Sequence, residues 1–373
     1  MKPGGLRVLF LHHSGVIGGA ELLLLSVARH FRETSKVLLF EDGPLRNSLE
    51  KAGVRVRVFR SAWARRGVRL GAPSFSPGNL ASVLRLAWRI SRAASSSDLV
   101  VANSPKALLA ASLARLVRPK PLVWNLHDLL TEEHFHPRAI QLLVHTCNRS
   151  VTRVLADSHA DGDTFISAGG RADLVRVVHP GVTPFPLIER KRNETPTLGV
   201  FGRITPWKGH DIVLRALALV PKATAIFVGA EEDEAFARTV RQLVANLGLT
   251  NRVSFLGFRK DVAQLMQQVD CIVHASTEPE PFGLVIVEGM LAQRPVIATR
   301  GGGATEIIED GESGLLVRPG DVRELVAAIN QVLSEPQKAA RMAMRGYERA
   351  RTHFSEERML SEAEKHFHEI ARR

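Results

Sequence analysis

The sequence is short of several residue types whose abundance would mark particular protein classes. Two cysteines, Cys147 and Cys271, occur in 373 residues, each inside an apolar run and without CxxC or Cys/His spacing. A disulfide scaffold and a structural zinc site are thereby excluded, and both residues read as buried thiols of a reduced, cytoplasmic protein. One tyrosine and an aromatic content of 6% offer few platforms for stacking bases, and no nucleic-acid-binding motif is present, so no nucleic-acid partner is expected. No apolar run approaches the roughly 18 residues of a spanning helix. The stretch LRVLFLHH near the start is short and ends in two histidines, which suits a first β-strand better than a signal peptide.

Acidic residues are missing from one region. The net charge is +12, and the first 185 residues hold 25 Lys and Arg against 13 Asp and Glu, whereas the remainder is balanced at 25 against 25. Residues 51–97 contain no acid and ten basic side chains: Lys51, Arg55, Arg57, Arg60, Arg65, Arg66, Arg69, Arg85, Arg89 and Arg92. Such a field attracts an anionic surface or substrate. Within NLASVLRLAWRISRA, helical spacing puts Arg85, Arg89 and Arg92 on one stripe with Leu80, Val83, Leu84 and Ala87 opposite, and Trp63 or Trp88 could sit at a headgroup layer. An ordinary surface helix with a solvated basic side competes with docking on an anionic membrane.

What is present is an α/β pattern in two rounds. A chain of 373 residues fits two domains. Short β-branched runs alternate with helical segments, the signature of βαβ units and parallel sheets. Strands are expected near 6–12, 36–40, 54–59, 98–102, 121–126, 152–157 and 174–178, then near 197–202, 223–228, 252–256, 270–274 and 295–299. Helices are expected near 20–31, 79–93, 104–116, 137–148 and 159–168, then near 209–220, 233–247, 260–268, 282–292, 321–333, 336–350 and 355–371. The segment HPGVTPFPLIERKRNETP (179–196) breaks the rhythm and reads as a linker. The expected division is a first domain over 1–182, a second over 183–352 and a closing helix over 353–373 that packs back on the first. Open parallel sheets bind ligands beyond the carboxyl ends of their strands, so a cleft between the two is the expected site.

The second half carries the densest chemistry. In LGVFGRITPWKGHDIVLRAL a strand ends in a tight loop bearing Arg203 and Lys208, a forked cation and a point cation suited to phosphate. In STEPEPFGLVIVEGM a helix is expected to open near Phe282, with the amides of Gly283 and Leu284 free to receive an anion. Glu288 lies six residues beyond Phe282, about 9 Å along the axis at 1.5 Å per residue, which matches the reach from a diphosphate to its ribose. Glu280 stands before the helix, where a sugar on that diphosphate would sit. A surface residue and a helix-face residue are the plain alternative for two such glutamates, and Arg203 with Lys208 upstream argue against it.

These segments, with RPVIATRGGGATEIIEDGESGLLVRPGD, resemble the retaining glycosyltransferases of family 4, of GT-B fold: two Rossmann-like, doubly wound parallel-sheet domains facing across a cleft. In the first half, SGVIGGAELLLLSVARHF resembles the family's glycine-rich loop and PLVWNLHD the strand ending in its active-site histidine. The resemblance implies a hexosyltransferase using a UDP- or GDP-sugar donor, with no cofactor and no metal. It places Arg203, Lys208, Gly283, Leu284 and Gly19 at the diphosphate, Glu288 at the ribose, Glu280 at the transferred sugar and His127 near the reacting carbon. Gly18 and Asn103 fall to the acceptor side or its loop. A glycan or lipid-linked acceptor, a role in cell-envelope polysaccharide or glycolipid synthesis, and a cytoplasmic position at the inner membrane face follow as expectations. A nucleotide-sugar 2-epimerase or hydrolase of the same fold is the alternative, and a basic nucleic-acid-binding protein a more distant one. Three positions depart from the family pattern: Asn103 replaces a usual histidine, Gly289 a usual small residue such as alanine, and Gln293-Arg294 stand where a glycine precedes the proline.

Overall fold

The computed structural model describes residues 5–61, 63, 77–189 and 194–372, so Arg65, Arg66 and Arg69 of the basic stretch lie outside the described residues. The chain forms two compact units, the first built from residues up to Gly181 together with those from Glu356 onward, the second from Val182–Ser355.

In the first unit, β1 (Val8–His12), β2 (Lys36–Leu39), β3 (Arg55–Val58), β4 (Leu99–Ala102), β5 (Leu122–Leu126), β6 (Arg153–Ala156) and β7 (Val175–Val177) form one parallel sheet in the order β3-β2-β1-β4-β5-β6-β7. Most are short runs of Val, Leu and Phe because both faces are covered by helices, as in β1, where every residue is buried. The core joins Leu9, Leu11, Leu38, Val100, Trp124 and Leu143. Helix Glu356–Ala371 belongs to this unit: Phe367 meets the rings of Phe10 and Phe31, with centroids 6.3 and 5.8 Å apart.

The second unit repeats the scheme with β8 (Thr197–Phe201), β9 (Thr224–Val228), β10 (Val253–Gly257), β11 (Cys271–His274), β12 (Val296–Thr299) and β13 (Leu315–Val317), in the parallel order β10-β9-β8-β11-β12-β13. Its core includes Leu198, Val213, Phe227, Val273 and Ile297. Each sheet reverses its winding at one place, between β1 and β4 and between β8 and β11, and there the loops at the strand ends diverge to leave a crevice. Both units are therefore Rossmann-like and doubly wound. Among the described residues no helix is long and apolar enough to cross a membrane.

Among the described residues, the short helices Pro44–Lys51 and Ala304–Ile307 and strand β13 were not anticipated. They are too brief, or too polar in the first case, to show a period. Helix Leu284–Leu291 starts two residues later than Phe282, because Gly283 takes φ 111° and serves as its N-cap. Helix Pro77–Ala93 corrects the single apolar face read from its sequence. It buries Leu86, Ala87 and Ile90, while Leu80, Leu84 and Trp88 are 57, 53 and 53% exposed.

The departure at Gln293 has a backbone cost. It follows the C-cap of helix Leu284–Leu291 with φ 55°, a left-handed conformation that glycine adopts without the Cβ penalty. Gln293→Gly is expected to raise stability by about 1 kcal/mol, read from the denaturant midpoint at unchanged slope. A variant less stable than wild type would show that the Gln side chain compensates the strain. Gly289, by contrast, fits its place: an added Cβ would come within 2.9 Å of Ile272 Cδ1 and 3.1 Å of Val296 Cγ2, so glycine lets this helix settle on β11 and β12.

Candidate active site

The expected residues fall into two clusters, one at the strand ends of each unit. In the second unit, β8 runs out into the loop of Arg203, and Lys208 ends a 3₁₀ turn, Pro206–Lys208. Gly209 then turns the chain with φ 64° and passes so close to β11 that a Cβ on it would lie 2.0 Å from the Ala275 carbonyl oxygen. This approach brings Lys208 Nζ to 2.6 Å from Glu280 Oε1. His274, the last residue of β11, places Nε2 2.6 Å from the same oxygen, and the Ser276 hydroxyl donates to it as well. Glu280 is thus gripped through Oε1 by three donors. Behind it, Gly303 donates to the Glu280 carbonyl at 3.0 Å, and a Cβ on Gly302 would lie 2.0 Å from that carbonyl oxygen. The run of glycines at 301–303 is what lets this loop close on Glu280.

The electrostatics follow from this geometry. Burial alone would raise the Glu280 carboxyl, but His274 and Lys208 hold it well below the usual carboxylate range. It is an anion with one oxygen committed to the protein. Glu288, on the fifth position of helix Leu284–Leu291, is the opposite case. Among the described residues its carboxylate has no hydrogen-bond or ion-pair partner, and burial pushes it up to about 7. A carboxylate left without a partner is one that a ligand hydroxyl can satisfy. Gly283 and Leu284 form the N-cap and first residue of that helix. Arg203 is set apart: its guanidinium is 55% exposed and pairs with Glu232 at 2.8 Å.

In the first unit, His127 follows β5, with Nδ1 2.8 Å from Asp157 Oδ2 and Nε2 3.0 Å from Asn103 Oδ1. Burial works against a charge on this ring and Asp157 outweighs it, so His127 titrates above its ordinary value. Asp128 beside it is raised, first by burial. Gly18 is the N-cap of helix Gly19–His30, and its amide donates to Glu21 Oε2 at 2.9 Å. Glu21 Oε1 in turn lies 2.7 Å from Nε2 of buried His12, at the end of β1.

The structure therefore brings Lys208 and Glu280 together, and His127 and Asn103 together, and ties Gly18 to Glu21, with Gly19 as the first residue of the helix that Gly18 caps. It adds residues that the sequence reading passed over: His274 and Ser276 around Glu280, and His12, Glu21 and Asp157 in the first unit. The signal for His12 and His274 was their place at the last position of a strand, where an α/β fold collects its functional side chains.

Known proteins resemble both halves of the chain. Residues 186–349 match the family described as glycosyl transferases group 1, and residues 18–181 match the glycosyl transferase 4-like domain. The crystal structure of Anabaena HepE in complex with UDP and glucose is 35% identical, covers 98% of this chain and 100% of its own, and superposes with a TM-score of 0.88. Among curated proteins, the D-inositol 3-phosphate glycosyltransferase of Mycobacterium marinum is 38% identical over 179 residues, or 44% of this chain and 38% of its own. The lipopolysaccharide core biosynthesis glycosyltransferase LpsE of Rhizobium meliloti is 32% identical over 164 residues, covering 44% and 47%. The matched region thus spans less than half the length of these curated relatives. Matched in both halves, and by a relative of equal extent, the chain belongs to the family 4-type, group 1 glycosyltransferases of GT-B fold.

Proposed function

We propose that the protein is a retaining, metal-independent hexosyltransferase that moves a sugar from a nucleoside-diphosphate donor to a glycan or lipid-linked acceptor of the cell envelope. The observation that carries this reading is the cluster at the β8/β11 switch point: Lys208 on an ionised Glu280, beside a helix N-terminus and an unpartnered Glu288. In this reading the diphosphate lies at Arg203, Lys208 and the amides of Gly283 and Leu284, the ribose hydroxyls donate to Glu288, and Glu280 Oε2 accepts from the sugar. HepE, whose structures hold UDP, UDP-glucose, or UDP with glucose, supports a UDP-sugar.

The chemistry breaks the bond between the anomeric carbon and the leaving phosphate through an oxocarbenium-like transition state. Negative charge grows on the diphosphate, so cations and amides aimed at it stabilise the transition state more than the ground state. Arg203 and Lys208 supply the charge a divalent ion would otherwise bring, and full turnover in excess EDTA is the expected result. In this reading Glu280 and Glu288 serve substrate hydroxyls, neither is the nucleophile, and front-side attack by the acceptor retains the configuration. Product analysis tests the class: a disaccharide or glycolipid supports transfer, whereas free sugar or an epimerised donor supports the alternative.

The basic half of the chain favours an acceptor at an anionic membrane, and a cytoplasmic position at the inner face of the plasma membrane. Leu80, Leu84 and Trp88 form an exposed ridge one helical turn apart, Arg85, Arg89 and Arg92 are exposed beside it, and the Arg92 guanidinium lies 5.0 Å over the Trp88 ring. Apolar side chains entering a headgroup layer while arginines take its phosphates would use both stripes. Wild type is expected to float with anionic vesicles at low salt, and Leu84→Glu/Trp88→Glu to stay in the pellet. Equal behaviour of the two would remove the ridge from the proposal.

A further inference from the structure

A chain of hydrogen bonds crosses the strand ends of the first unit, and it fixes a proton that the function proposed above does not specify. Asn103, directly after β4, is 1% exposed. Its side-chain amide has four neighbours. Nδ2 donates to the Ala20 carbonyl at 3.3 Å and lies 3.5 Å from His12 Nδ1, while Oδ1 receives Asn125 Nδ2 at 3.0 Å and faces His127 Nε2 at 3.0 Å. Turning the amide over would set Oδ1 against the Ala20 carbonyl, acceptor against acceptor. The Ala20 carbonyl therefore fixes the orientation, and Oδ1, which has no proton, faces His127 Nε2.

Nε2 must then be the donor. On the other side of the ring, Nδ1 and Asp157 Oδ2 share a proton at 2.8 Å. Wherever that proton rests, the Nε2 proton is needed for the contact with Asn103. We propose that Asn103 is a positioning residue that keeps a proton on His127 Nε2 and holds that N–H in a hydrogen bond to its own Oδ1, so that the ring does not act as a base toward substrate. The role toward substrate rests on the transferase reading, whereas the proton itself does not.

The surroundings agree. The charged groups acting most on the ring are Asp157 after β6, Asp128 next in the chain and Glu21 on helix Gly19–His30, all carboxyl groups, and His12 lies across the Asn103 amide, 3.5 Å from its Nδ2. The cavity of about 30 Å³ beside His127 and Asp157 is lined on one side by Met359, Ala363 and Phe367 of the last helix, which contribute no titratable group. The backbone of Asn103 extends the chain. Its carbonyl faces His12 Nδ1 at 3.0 Å, His12 Nε2 meets Glu21 at 2.7 Å, and Glu21 holds the Gly18 amide at 2.9 Å. One residue thus sets the ring of His127 and, through His12 and Glu21, the start of the glycine-rich loop. A histidine at this position would offer a ring nitrogen in place of an amide oxygen and would not impose the same direction on the proton.

The test is a long-range proton–nitrogen correlation spectrum of full-length protein labelled at histidine, with the His127 ring assigned by its loss in His127→Gln. The expected wild-type result is an Nε2 in the protonated range from pH 6 to pH 8. Asn103→Asp, which keeps an oxygen facing the ring, is expected to preserve the signal at pH 8, and Asn103→Ser to lose it. An unprotonated Nε2 in wild type would overturn the proposal even if neither variant folded. A signal unchanged in Asn103→Ser would overturn the role of Asn103. Donor stabilisation or sugar transfer plays no part in these readouts, so failure of the transferase reading would be seen separately.

Discussion

Lys208→Ala is expected to lower kcat/KM for sugar transfer by about 10²–10³-fold, the scale seen when one preorganised stabiliser of transition-state charge is removed. The same change strikes the fold. Lys208 and Glu280 are each 13% exposed, and deleting the ammonium leaves Glu280 with His274 and Ser276 alone. Breaking a buried pair from one side costs about 3–5 kcal/mol, because the remaining charge loses its partner. The pH dependence has a definite sign. A carboxyl depressed by its partners contributes stability above its ordinary value of 4.5, lost as pH falls through the lower folded value, so the variant is expected to be least impaired in acid. Lys208→Ala/Glu280→Gln isolates the effect on the fold: stability at neutral pH returns once the unpaired charge is gone. Arg203→Ala is the contrast. Its pair with Glu232 is 55% and 45% exposed, so stability is expected to change by less than about 0.5 kcal/mol while donor affinity falls. A Lys208→Ala enzyme within threefold of wild type would remove Lys208 from the diphosphate.

Glu288→Gln is expected to make the donor-free protein more stable and the donor weaker. A carboxyl raised by burial from 4.5 to about 7 favours its neutral form in the fold, so its charge costs stability as pH rises through this window. The full cost, on the order of 3 kcal/mol, is present above pH 7 and absent below the unfolded value. Thermal denaturation should therefore show the Gln variant ahead of wild type at pH 8 and level with it near pH 4. Against a panel of UDP-, GDP- and ADP-sugars at pH 8, wild type should be stabilised by one nucleotide class, and the variant should bind that donor about 10–100-fold more weakly, the worth of hydrogen bonds to a charged acceptor. A Gln variant no more stable at pH 8, with undiminished donor binding, would take Glu288 out of the ribose site.

How much of this could be read in the sequence depended on the range of the interaction concerned. Strands β1, β4, β8 and β11 were legible because parallel strands covered on both faces are unbroken apolar runs. Arg203, Lys208, Glu280 and Glu288 were legible because each sits at a fixed offset from a strand end or helix start. The partners were not. His274 reaches Glu280 six residues away only because Gly302 and Gly303 let a distant loop press on it, and Lys208 meets Glu280 across 72 positions. Asn103 stood out as a departure from a family pattern, yet its links to His127 and His12 span 24 and 91 positions. Helix Pro77–Ala93 misled in another way: helical spacing groups apolar residues by angle but does not say which part of a wide apolar arc a neighbour will cover.

The return of the chain to its first unit at Glu356 has a consequence for biosynthesis. Met359, Ala363, Phe367 and Ile370 are buried in a core whose other members lie before Gly181. On the ribosome, that core stays open while the whole of Val182–Ser355 is made, although a domain continuous in sequence could close as soon as it emerged. The second unit, uninterrupted, can fold first, which reverses the order in which the two are synthesised. Phe10 and Phe31 must wait with their apolar faces uncovered until the last helix arrives, and in that interval the nascent chain is most exposed to aggregation and to holding chaperones.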